Sequence, residues 1–292
     1  MVTIDVTFFK TLGSLAEAIE PYLKDVVFIG GVANALYEFH PYAKPSGSPV
    51  LMTKDVDLAT EQKIPSGASR NTLAALLDKA GFKVDPDIQM ALKLTKFRLV
   101  DGKGKADNNY EVEFLCPLTG GPPGPDYIEV QAGITATPLT FMDLLMHEPW
   151  ELELKLLPGL EGRREIILVP NQGVYVVQKF ITMFRRQKRA ARQKDAFYIY
   201  EFCLKFRDSL GTVNDCIERL VSISHYKKVK SFRNDFSRYF ESQTGEGIAN
   251  IMNEIESLPF DGVKTIKPDQ ATVHAIIQRL ADTWVRTEKE KA

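Results

Sequence analysis

The sequence predicts an α+β chain, with a mixed-sheet domain over residues 1–170 and an all-helical domain over 171–292. Three observations carry this. Short apolar or alternating runs bounded by glycine, proline and polar clusters recur up to Pro170, as strands do. Helical spacing separates the first of these runs, which places helices against the sheet. Beyond Gly173 strand signals almost vanish, and helices fall near 174–190, 193–206, 211–223, 229–242, 247–257 and 269–287.

Composition narrows the function classes. The 292 residues are 44% hydrophobic and 26% charged, ordinary for a globular protein with room for a substantial core. The formal net charge is −1, so attraction to nucleic acid has to come from a local patch. Cys116, Cys203 and Cys216 are scattered and odd in number, which argues against a disulfide framework or a zinc site. His40, His147, His225 and His274 form no H-E-x-x-H or i,i+4 pair, which removes a zinc hydrolase. Neither a membrane span nor a signal peptide is expected, and the chain reads as cytoplasmic.

Taken in order, Phe8–Leu23 carries apolar residues at helical spacing: Leu12, Leu15, Ala16, Ile19 and Leu23. Val26–Ile29 is a short strand, Gly30 and Gly31 a turn, and a helix starts at Val32. The D-x-D run TKDVDLA, Thr53–Ala59, is the next strand. Asn71–Ala80 is a helix closed by Gly81. Phe97–Val100 is a strand. Tyr110–Pro117 and Tyr127–Gly133 alternate around a Gly/Pro loop and predict a hairpin or two neighbouring strands. Thr140–Met146 is a short helix, and Trp150–Leu156 and Arg164–Val169 are strands.

Asp55 and Asp57 are two residues apart on a strand, so both carboxylates leave the same face while Val56 and Leu58 enter a core. Such a pair repels itself unless a cation lies between, and hard divalent ions such as Mg²⁺ or Mn²⁺ take oxygen ligands of this kind. Solvated aspartates on a strand edge are the plain alternative. Gly30 and Gly31 allow close backbone approach, and the helix after them offers N–H groups to a phosphate. Glu111 and Glu113 share one face of the later strand, and Glu129 sits similarly in the next run; a solvated sheet face is again the alternative. In the helical half, Val174, Val177, Ile181 and Phe184 form an apolar stripe, while Lys179, Thr182, Arg186 and Arg189 lie along another. Six of the ten residues Arg185–Lys194 are basic. Such a run is either a solvated helix face or a track for a polyanion such as RNA.

The strand–GG–helix stretch DVVFIGGVANALYEF followed by TKDVDLA resembles the nucleotidyltransferase superfamily that includes DNA polymerase β. Its form is most similar to small bacterial nucleotidyltransferases related to AbiEii-type toxins. The insertion HPYAKPSGSP lengthens the gap between the two motifs. The resemblance spans roughly residues 25–205 and implies a polymerase β-like first domain. It implies an enzyme of nucleotidyltransferase type (EC 2.7.7) that moves an NMP from an NTP to an acceptor hydroxyl. Asp55, Asp57 and Glu113 would bind metal, Glu113 being the third carboxylate ahead of Glu111 and Glu129. Gly30, Gly31, Thr53, Lys179 and Lys194 would hold the nucleotide, and Asp195, of the Lys194–Asp195 pair, would orient Lys179 or the substrate. The acceptor would be RNA such as a tRNA, a protein or a small molecule, and a toxin role would bring an antitoxin protein as partner. The competing expectation is a non-catalytic module on the same fold that binds RNA or protein through the basic run.

Overall fold

The computed structural model describes residues 6–44, 55–65, 71–86, 89–90, 94–100, 106–119, 124–258 and 267–291. Two units emerge from the packing: among the described residues, 6–39 and 55–171 form one, and 40–44 with 172–291 the other.

The first unit is built on nine strands: β1 Val26–Ile29, β2 Asp55–Thr60, β3 Phe82–Val84, β4 Lys96–Val100, β5 Ala106–Pro117, β6 Ile128–Gln131, β7 Ile134–Leu139, β8 Trp150–Glu153 and β9 Ile166–Val169. Their order is β3-β4-β5-β2-β1-β9-β8, with β7 paired to β5 and β6. The sheet is mixed: β2–β5, β1–β9 and β5–β7 run parallel, the other pairs antiparallel. Together with the helices that follow Asn171, this is the expected fold class.

Residue pattern explains the layers. All four residues of β1 are buried, as a strand covered on both faces requires. On β2 and β5 the apolar members Val56, Leu58, Val112 and Phe114 are buried while the carboxylates between them are not. Helix α1, Val6–Ala18, buries Phe8, Phe9, Leu12, Leu15 and Ala16; Ile19 and Leu23 of the expected stripe are buried too but lie beyond its end. Helix α2, Gly30–Leu36, follows β1 directly, and α3, Leu73–Lys79, is N-capped by Thr72, whose hydroxyl accepts from the Ala75 N–H. The short α4 is Met142–Leu145. Tyr37 is fully buried; its hydroxyl donates to the Pro170 carbonyl at 2.8 Å and its ring stacks on Trp150, tying the end of α2 to the strand pair β8–β9.

One strand expectation is corrected. The run at 127–133 does not pair with β5; β6 forms its hairpin with β7, which sequence reading left unassigned, and β7 in turn pairs with the end of β5. Pro138 falls within β7 and hid it. The short β3 carries no clear strand signal in the sequence; among the described residues it pairs with β4 alone.

The second unit contains α5 Gln172–Met183, α6 Arg189–Lys205, α7 Leu210–Ile223, α8 Lys227–Lys230, α9 Phe232–Tyr239, α10 Glu246–Ser257 and α11 Gln270–Lys291. Helix α5 is buried along nearly its whole length. A Cβ on Gly173 would lie 2.6 Å from the Cβ of Cys216, so glycine there lets α5 and α7 touch backbone to side chain. Phe180, Phe232, Phe236, Phe240 and Trp284 form one aromatic cluster. All three cysteines are unpaired thiols, and burial pushes Cys116 up to about 11 and Cys203 up to about 12. No described helix is long and apolar enough to cross a membrane.

The segment His40–Lys44 packs on this unit: Lys44 N–H donates to the Lys205 carbonyl and the Ser209 hydroxyl to that of Tyr42. His40 Nδ1 accepts from the Tyr42 N–H at 3.1 Å, and its ring meets Phe206 edge-on. Burial lowers its imidazole from the usual 6.5 to about 4. A histidine whose folded pKa is depressed binds its proton more readily when unfolded, so stability falls as pH drops from about 6.5 towards 4. His40→Gln is expected to flatten that part of the melting-temperature profile; thermal unfolding of both proteins between pH 4 and 7.5 checks it, and parallel profiles would refute it.

Candidate functional site

The parallel pairing of β2 with β5 sets Asp55 opposite Glu111 and Asp57 opposite Glu113. Residues paired across neighbouring strands share a face, so four carboxylates line one side of the sheet while Val56, Leu58, Val112 and Phe114 pack behind it. Asp55 is exposed, and Asp57, Glu111 and Glu113 are half-buried.

Like charges at this spacing need offsetting, and β4 supplies the cations. In the antiparallel β4–β5 register, Lys96 faces Glu113 and Arg98 faces Glu111. Lys96 Nζ lies 2.9 Å from Glu113 and 3.9 Å from Glu111. Arg98 donates to Glu111 through Nε at 2.9 Å and pairs with Asp85 at 3.0 Å. Glu113 also accepts from the Thr137 hydroxyl at 3.2 Å. Burial pulls the Lys96 ammonium down, but the hydrogen bond to Glu113 and the charges of Glu113, Glu111 and Asp55 outweigh it and hold it above the usual lysine value. Sequence reading did not single out Lys96 or Arg98. Their alternation with Phe97 on a strand was the available signal, but only the register tells which carboxylates they meet.

Gly30 opens α2 with φ +68°, a conformation that disfavours side chains. A Cβ there would sit 2.4 Å from Asp57 Oδ2, so the glycine turn is packed directly against the second aspartate. The expected turn at Gly30–Gly31 before a helix from Val32 is corrected: α2 already begins at Gly30, and Gly31 is buried inside it. Thr53 lies outside the described residues. Glu129, on β6, is separated from β2 by β7 and β5 and accepts from the Gly133 N–H, so it is not part of the carboxylate strip. Among the described residues no three His, Cys, Asp or Glu side chains gather closely enough to hold a metal.

The remaining predicted residues lie in the helical unit. Lys179, buried on α5, donates to Asp195 Oδ1 at 3.0 Å, and Asp195 Oδ2 accepts from Arg186 Nε at 3.0 Å. The Lys179 ammonium sits 5.0 Å from the ring centre of Tyr198 and 5.8 Å from that of Tyr175. Lys194 also approaches the Tyr198 ring, and its charge reaches Glu254 on α10.

The expected continuous basic helix is corrected. Helix α5 ends at Met183, Arg185 and Arg186 form a turn bonded back to Thr182 and Met183, and α6 starts at Arg189. No glycine or proline marks the break. It follows from α5 and α6 packing together, which closes the Lys179–Asp195–Arg186 bridge across the turn.

The chain belongs to a family described as nucleotidyltransferase, whose model matches residues 11–214. Among solved structures it is similar to an antigenic nucleotidyltransferase-like protein from Paracoccidioides brasiliensis. That likeness is 16% identity and a TM-score of 0.42, covering 77% of this chain and 93% of the other. No curated protein matches the chain.

Removing one member of a buried ion pair strands the other, at a cost of roughly 3–5 kcal/mol. Lys179→Met keeps the volume and is expected to lose about 3 kcal/mol of unfolding free energy in urea titrations, with Arg186 still holding one Asp195 oxygen. A loss below about 1 kcal/mol would show that the pair does not hold the helices together.

Proposed function

We propose that the chain is a divalent-metal-dependent nucleotidyltransferase that moves a nucleoside monophosphate from an NTP to an acceptor hydroxyl. The observation that carries this is the β2–β5 register, which puts Asp55 and Asp57 on one face with Gly30 packed against Asp57. The donor set fits Mg²⁺ or Mn²⁺ in a particular way. Mg²⁺ is commonly held by one or two carboxylates completed by substrate phosphates. Asp55 and Asp57 provide the two carboxylates, while Glu111 and Glu113 are engaged by Arg98 and Lys96. When bound with the triphosphate, the metal would neutralise phosphate charge at the reacting phosphorus.

The chain's own residues then have distinct tasks. The N–H groups at the start of α2, reached closely at Gly30, receive phosphate oxygens. The acceptor oxygen forms a bond to the α-phosphorus in line with the bond to the bridging oxygen, which breaks and releases pyrophosphate. Glu113, opposite Asp57, takes the proton of the acceptor hydroxyl, and Lys96 and Thr137 hold its carboxylate in place.

The acceptor we infer is RNA. Arg185, Arg186, Lys188 and Arg189 are all exposed, over the turn and the first residue of α6, in a protein of near-neutral net charge. A local cluster of this kind is what a phosphate backbone requires.

Two substitutions test the reading. Asp57→Asn is expected to lower Mg²⁺-dependent pyrophosphate release about 100-fold or more, since the charge stabilisation lost is worth several kcal/mol. Unchanged release would end the proposal. Lys96→Met removes the cation beside Glu113 and is expected to raise Mg²⁺ affinity in calorimetry without nucleotide. An unchanged or weaker affinity would show that Lys96 does not govern the charge of the strip.

A further inference from the structure

The helical unit holds a cavity of about 530 Å³, within the range of small-ligand sites. Its apolar wall is aromatic. Phe180 forms the buried floor, and Phe184 and Tyr239 stand edge-to-face with ring centres 5.0 Å apart. Phe184 is 53% exposed, an unusual place for a phenylalanine that sits in the turn between two helices. Tyr239 is fixed by the Asn250 amide, which donates to its hydroxyl at 2.9 Å.

Charged residues of both signs line the cavity. Arg185, the first residue of the basic run, and Lys228 line the cavity, and the charge of Arg192 further along the run reaches Tyr239. Asp235 is taken up by Ser231 and Arg238, each at 2.7 Å. Glu241 and Glu246, also at the cavity, offer acceptor oxygens of the kind that receive the exocyclic amine of cytosine. An aromatic platform beside a cationic track is how single strands are held: bases stack and the backbone follows the charge.

We propose that this cavity is a binding site for one unpaired nucleotide of single-stranded RNA, its base stacked on the exposed ring of Phe184 and meeting Tyr239 edge-to-face, its phosphate held by Arg185 and Lys228. The proposal rests on the RNA-acceptor reading and adds to it the strandedness of the RNA and the residues that select it. Duplex RNA keeps its bases stacked on each other and can use the exposed cations but not the cavity.

The test is fluorescence anisotropy on the full-length protein with an eight-nucleotide oligo(rC) and a blunt RNA duplex of equal length, at low and moderate salt. Phe184→Ala is expected to weaken oligo(rC) binding about tenfold, the scale of one base–aromatic stack, and to leave duplex binding within about twofold. Arg189→Glu, outside the cavity, is expected to weaken both and to reduce the salt dependence. Equal oligo(rC) affinity in wild type and Phe184→Ala, with the Arg189→Glu effect intact, overturns the cavity proposal and leaves the RNA-acceptor reading standing. No binding of either RNA by the wild type at low salt overturns both. Binding of apolar helical peptides in the cavity, with oligo(rC) affinity unaffected by Phe184→Ala, would make it a protein-docking site instead.

Discussion

The parallel pairing of β2 with β5 is the constraint on which the sheet unit depends. Its buried side needs Val56, Leu58, Val112 and Phe114 in register, and that register also sets Asp55 and Asp57 opposite Glu111 and Glu113. A one-residue slip would send the carboxylates into the core and the apolar residues into solvent. Core formation and carboxylate placement are therefore one event. The strip is tolerable because β4 delivers Lys96 and Arg98 to the same face.

That arrangement divides the acids into two kinds. The glutamates have cationic partners on β4, and Glu113 has a hydroxyl partner as well. Of the aspartates, Asp57 packs so closely on Gly30, the first residue of α2, that no side chain fits there.

The helical unit uses charge differently. Lys179, Asp195 and Arg186 run from a buried ammonium through a buried carboxylate to a guanidinium whose side chain is 46% exposed. The basic run is therefore neither wholly structural nor wholly solvated. Arg186 closes the turn, Lys194 turns towards Tyr198 and Glu254, and Arg185 reaches the aromatic cavity.

The sequence by itself determined the strand–glycine–helix unit, the shared face of Asp55 and Asp57, and the change from sheet to helices after Pro170. These are local properties: period-two and period-3.6 patterns and the freedom of glycine at positive φ. It also narrowed the third carboxylate to Glu113, Glu111 or Glu129. The tertiary structure set Glu129 apart from the other two, because strand neighbours depend on pairing between distant segments: β6 went to β7, while Glu111 and Glu113 both stand opposite the aspartates of β2. The partners of Lys96 and Arg98, the break at Met183 and the joining of Phe180, Phe184 and Tyr239 into one cavity wall were likewise decided by packing, since no local pattern records which distant residue a side chain will meet.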